Sequence, residues 1–80
     1  MNGQCIVIDS FFGEYSCSIV DLDNSKVLRS NVRMKRHLAY YNANKWHYRY
    51  RLNVRVRNGQ ELSMPDKDDI ENYSLKDFDQ

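Results

Sequence analysis

Lys45, His47, Arg49, Arg51, Arg55 and Arg57 occupy alternate positions in one thirteen-residue stretch, and Asn53 fills the remaining odd position. Such a row suits a polyanion. A guanidinium fork takes phosphate in bidentate fashion, stacks on bases and stays charged at any physiological pH. Trp46, Tyr48, Tyr50, Leu52, Val54 and Val56 hold the even positions. Alternate side chains of a strand point to opposite faces, so the pattern predicts one long basic/aromatic strand over residues 45–57. Arginines two residues apart would then lie roughly 6.6–7 Å from each other, near the phosphate spacing of an extended single strand. Arg33, Lys35 and Arg36, with His37, form a second basic cluster upstream. Tyr40, Tyr41 and Trp46 are candidate platforms for base stacking.

Net charge is +1, but the charges are segregated. Residues 29–57 hold nine bases and no acid, while residues 58–80 hold seven acids and two bases. A local positive field attracts an anion whatever the total. A solvated outer face would also be polar, yet such faces usually interleave Asp and Glu among the bases, and residues 24–60 contain neither. The acidic segment 66–79 is a further candidate partner for the basic face, as an internal clasp or a competitor of the ligand.

Other chemistries find less support. Cys5, Cys17, His37 and His47 fit no zinc-ligand spacing. The histidines, arginines and tyrosines include types used in RNA cleavage, but nothing in the order of residues fixes two of them in one site. No enzyme is expected, and no cofactor or metal. Asp66, Asp68 and Asp69 lack the Gly and Glu of a calcium loop and read as helix capping. No aromatic motif of the four-stranded RNA-recognition fold and no Gly-X-X-Gly clamp is present. Sequence-independent binding through phosphate contacts is therefore expected.

Around these residues the chain reads as a β-meander followed by mixed elements. Strands are predicted at 5–9, 15–21 and 26–31, with turn chemistry at Asp23-Asn24-Ser25. A short helix is predicted within 32–43, capped by Ser30 or Asn31. Asn58-Gly59 signals a hairpin, although a strict two-residue turn at those positions places Leu62 on the basic face. Pro65 and the following aspartates suit a helix start near 65–74. The expected class is α+β and β-rich: a small antiparallel sheet of four or five strands, the long basic/aromatic strand among them, and one or two short helices.

Eighty residues form one domain, 1–80, with a thin core. Mean hydropathy is −0.79. A thirteen-residue strand would run roughly 43 Å and overhang a globule about 30 Å across, which invites a homo-oligomer. The apolar run 5–8 is too short for a signal core or membrane span, and two cysteines suit reduced thiols in the cytoplasm. The functional expectation is a small nucleic-acid-binding protein, RNA more than DNA, that contacts phosphate through Arg33, Lys35, Arg36, Lys45, His47, Arg49, Arg51, Arg55 and Arg57 and self-associates through its sheet. The alternative is a protein inhibitor or adaptor that uses the same basic surface against a nuclease or ribonucleoprotein.

Overall fold

The computed structural model describes residues 3–65. Five strands and one helix follow in the order β1 (Gln4–Phe11), β2 (Glu14–Asp21), β3 (Lys26–Met34), α1 (Arg36–Tyr50), β4 (Val54–Asn58) and β5 (Glu61–Ser63). They form one mixed sheet of order β3-β2-β1-β4-β5. The first three strands are the expected antiparallel meander. β4 then returns beside β1 in the parallel sense, because α1 carries the chain back along the sheet first. Parallel neighbours need such a crossover. The fold is thus α+β, but its sheet is mixed rather than wholly antiparallel. The helix expected near 65–74 lies, apart from Pro65, outside the described residues.

The long strand over 45–57 is not formed. Residues 45–50 complete a fifteen-residue helix, and only 54–58 are extended. The alternation in that stretch competes with a helical stripe that begins further upstream. Ala39, Tyr40, Ala43, Asn44 and Trp46 recur at three- and four-residue spacing and are all buried in α1. Burying Trp46 with two alanines beneath it decides the contest, and most other residues of 38–49 tolerate a helix. The helix starts at Lys35 rather than at Ser30 or Asn31, since both of those lie in β3. It ends where Arg51 turns left-handed (φ 58°) and donates its backbone N–H to the His47 carbonyl at 2.8 Å. That is a helix stop usually given to Gly. With β4 only five residues long, the overhang that argued for assembly disappears.

One face of the sheet packs under α1. Ile6, Ile8, Cys17, Ile19 and Val54 meet Ala39, Tyr40, Ala43 and Trp46 there. The opposite face holds a smaller cluster of Cys5, Val7 and Val20, against which Leu62 packs. The β4–β5 hairpin pairs Asn58 with Glu61 and Arg57 with Leu62, so the turn falls at Gly59-Gln60, one residue later than expected. Leu62 does share a face with Arg57. That placement is no fault of register, because the face is itself partly apolar. Each thiol belongs to a different cluster, with the sheet between them, and both cysteines are free.

Among the described residues no helix is long and apolar enough to cross a membrane.

Candidate nucleic-acid interface

Folding distributes the nine predicted contact residues over three surfaces instead of one strand face. Arg33 is the penultimate residue of β3, Lys35 is the N-cap of α1 and Arg36 is its first residue. Lys45, His47 and Arg49 lie on the second half of α1, and Arg51 caps it. Arg55 and Arg57 sit on β4, on the sheet face away from α1. Both guanidinium charges act on the Cys5 thiol there.

The outward stripe of α1 comprises His37, Tyr41, Lys45 and Tyr48, spaced four, four and three residues apart, with Leu38 and Arg49 beside it. All are exposed except Tyr41, which is half-buried. β3 flanks this stripe. The Arg29 guanidinium lies 5.2 Å from the centroid of the Trp46 ring, and its Nη1 donates to Tyr50 Oη at 3.0 Å. Asn31 Nδ2 donates to Asn42 Oδ1 at 3.3 Å a turn earlier. A basic surface therefore runs from β3 across the outer side of α1. Arg33 and Lys35 stand at one end, Lys45 near the other, and Arg49 and Arg51 at the helix terminus. Fifteen helical residues separate the ends by roughly 22 Å.

Several cations also serve the fold. His47 and Arg49 fall in the last turn of α1, where positive charge complements the helix dipole. His47 Nδ1 lies 2.6 Å from the Leu52 carbonyl and donates to it, which fixes the chain as it leaves the helix. The Arg36 guanidinium lies 4.8 Å from the Tyr40 ring centroid. Arg57 Nε pairs with Asp9 Oδ2 at 3.2 Å. By contrast, among the described residues no carboxylate forms an ion pair with Arg33, Lys35, Lys45, Arg49 or Arg51.

Two of the three aromatic residues expected as stacking platforms lie in the core. Tyr40 and Trp46 are 4% and 3% exposed and belong to the core, so neither ring offers a face to a base. Tyr41 is half-buried, while Tyr48 is 61% exposed and Tyr50 40%. Sequence reasoning also passed over Phe11 and Phe12, which project from the β1–β2 turn at 74% and 91% exposure. Two adjacent Phe before a Gly in a hairpin turn are the signal that pointed there.

One pocket lies at the carboxyl ends of β1 and β4, next to the start of α1. Asp9, Arg36 and Arg57 converge on it, along with Ser10, Tyr40 and Asn58. Its volume is about 270 Å³. Among the described residues no group of three potential metal ligands is assembled.

Comparison with protein-family models, curated proteins and solved structures finds no match to this chain. The functional reading therefore rests on its own residues.

Proposed function

We propose that this chain binds single-stranded nucleic acid, RNA in preference to DNA, through the basic surface formed by β3 and α1. The observation that carries the reading is the set of exposed cations, Arg33, Lys35, Lys45, Arg49 and Arg51, with no carboxylate partner among the described residues. Phosphates would replace the missing counter-charges, and release of counterions would drive binding. Tyr48 and Tyr50 add exposed rings beside Lys45 and Arg49, as single-strand binders combine charge with stacking. Self-association belongs to the same proposal through β3, an edge strand that exposes Val27, Leu28 and Val32. Lys26, Arg29 and Arg33 on that edge weaken it by like-charge repulsion. The proposal therefore places assembly after neutralisation by nucleic acid, and light scattering with and without RNA checks it.

Fluorescence anisotropy with a ten-nucleotide RNA at several salt concentrations tests the binding. The affinity should fall steeply with salt. A Lys45→Gln, Arg49→Gln double variant should keep its circular dichroism and reduce the slope of log K against log salt by about 1.4, at roughly 0.7 per single-strand phosphate. No binding at low salt defeats the proposal. It would turn attention to the inhibitor or adaptor reading, for which the exposed Leu38 and Tyr48 supply anchors of the kind found in protein interfaces.

A further inference from the structure

We propose that the groove between α1 and the β4–β5 hairpin holds the chain's own segment 66–80, docked beside α1 as an amphipathic helix. The proposal is independent of nucleic-acid binding by β3 and α1.

α1 does not cover its whole face of the sheet. It packs mainly on β2 and β1 and least on β4. Val54 is buried against it, but Val56 is half-buried, and β5 lies further out at the sheet edge. The middle of the β4/β5 pair is two strand spacings, roughly 10 Å, from the middle of the β2/β1 pair. Packed helices lie about 8–10 Å apart. The open strip beside α1 is therefore one helix wide.

Two cavities, of about 270 and 150 Å³, mark this strip, and Met64 and Pro65 line both. Arg36, Tyr40, Asn44 and His47 form the α1 wall, four, four and three residues apart along one side of the helix. The rest of the lining is mixed. Val54, Val56 and Met64 share it with Asn53, Asn58 and Ser63. Met64 is 69% exposed. Arg36 is engaged over the Tyr40 ring at 4.8 Å. Leaving it aside, Arg55 and Arg57 still outnumber Asp9, the carboxylate of the lining.

The course of the chain names the occupant. Pro65 is the last described residue and itself lines the groove, so residue 66 emerges there. Residues 36–47 of α1 extend roughly 16 Å, and fifteen helical residues extend roughly 22 Å, so segment 66–80 has the length to fill the strip. Pro65 and the aspartates at 66, 68 and 69 are helix-start chemistry. At helical spacing Ile70 and Tyr73 share one side, with Asp68, Glu71 and Asn72 on the other. Ile70 and Tyr73 would cover Val56 and Met64. The segment carries six acids and two bases, which suits a wall with more guanidinium than carboxylate charge. Its tether gives it a high effective concentration. Docked there, the acids lie on the β4 side of α1, away from Arg29 and Arg33 on β3. The segment then completes the helical layer and leaves the basic surface open instead of clasping it.

The test places a nitroxide on Asn72→Cys in the full chain and reads the loss of backbone amide intensity in nitrogen-15 spectra. Asn72 falls away from Ile70 and Tyr73, so the label spares the docking side, and the buried Cys5 and Cys17 react slowly. Amides of residues 40–47 and of β5 should lose the most intensity, and those of β3 the least. Greatest loss on β3 would put the segment over the basic surface and overturn the proposal. Loss in the sheet without loss in α1 would put it on the far face, and equal loss everywhere would mean no docking. Either result overturns it too. A mixture of isotope-labelled parent with spin-labelled variant of ordinary isotope content tests the remaining occupant. Loss in that mixture would assign the groove to the segment of a second copy, against the proposal, and unchanged intensity supports docking within one chain.

Discussion

Asp9 Oδ2 lies 3.2 Å from Arg57 Nε, one residue beyond the paired stretch of the parallel strands β1 and β4. Both side chains are more than a third exposed, so the pair contributes at most about 1 kcal/mol to stability. Its larger effect is electrostatic, since it sets a negative charge at the carboxyl end of the β1/β4 pair.

Asp9→Asn should therefore leave folding within about 1 kcal/mol of the parent and raise affinity for single-stranded RNA. Unit charges about 7 Å apart in a water-like medium repel by roughly 0.6 kcal/mol, so the gain should be roughly threefold. Anisotropy titrations at low salt read it. A loss of affinity would mean that Asp9 holds Arg57 in its binding position.

Trp46 is the keystone of the α1 packing and the only tryptophan in the chain. Trp46→Ala should destabilise by about 3–5 kcal/mol. For 80 residues the whole stability is roughly 4–12 kcal/mol, so this variant should be at the edge of unfolding. Urea titration followed by circular dichroism measures it, because the intrinsic probe is lost. Trp46→Phe should cost less. It would also show how much of the β3 docking depends on the Arg29 contact with the indole.

Residues 36–50 mark where the sequence was legible and where it was not. The β-meander could be read from the Cys5–Asp9 run, the Tyr15–Asp21 alternation and the turn at Asp23. Each pattern is local, and each is satisfied by a neighbouring strand. Trp46, Tyr48 and Tyr50 satisfy a strand and a helix almost equally well over so short a stretch. The choice is made by Ala39 and Ala43, two small residues that let α1 approach the sheet. Their role is visible only once the sheet beneath them exists. The basic composition of the region survives the change from strand to helix, but its geometry does not. Arg55 and Arg57 leave Lys45 and Arg49 for the far face, and Arg36 joins Arg57 across a pocket. That meeting depends on the parallel β1/β4 pairing, which no local pattern announces.

Burial raises the Cys17 thiol from its ordinary 9.0 to about 11, with a hydrogen bond to Asn42 pulling weakly the other way. The folded state thus holds the proton more tightly than the unfolded chain. The resulting stabilisation is complete below pH 9 and is lost as pH rises through about 11, amounting to roughly 2–3 kcal/mol. Urea midpoints should decline across that window, and Cys17→Ala should flatten the decline at some cost in packing. The Cys5 thiol is raised too, by burial against the opposing charges of Arg55 and Arg57. At neutral pH both thiols should react slowly with a disulfide reagent in the folded protein and promptly in denaturant.

Phe11 pairs with Glu14, which closes β1 on β2 through the two residues Phe12 and Gly13. Both have positive φ, 52° and 81°, the backbone of a type I′ turn. Asn-Gly is the favoured pair in such a turn, and Phe at the first position is strained. Phe12→Asn should raise stability by about 0.5–1 kcal/mol, or several degrees in melting temperature for a chain this short. Almost nothing is lost from the core, because the Phe12 ring is 91% exposed. Strain at an exposed residue points to a role for its side chain outside the fold. The same variant should therefore lose affinity for RNA as it gains stability, and melting and anisotropy measured on one preparation separate the two effects. A stability gain with unchanged affinity would show that the ring has no part in binding.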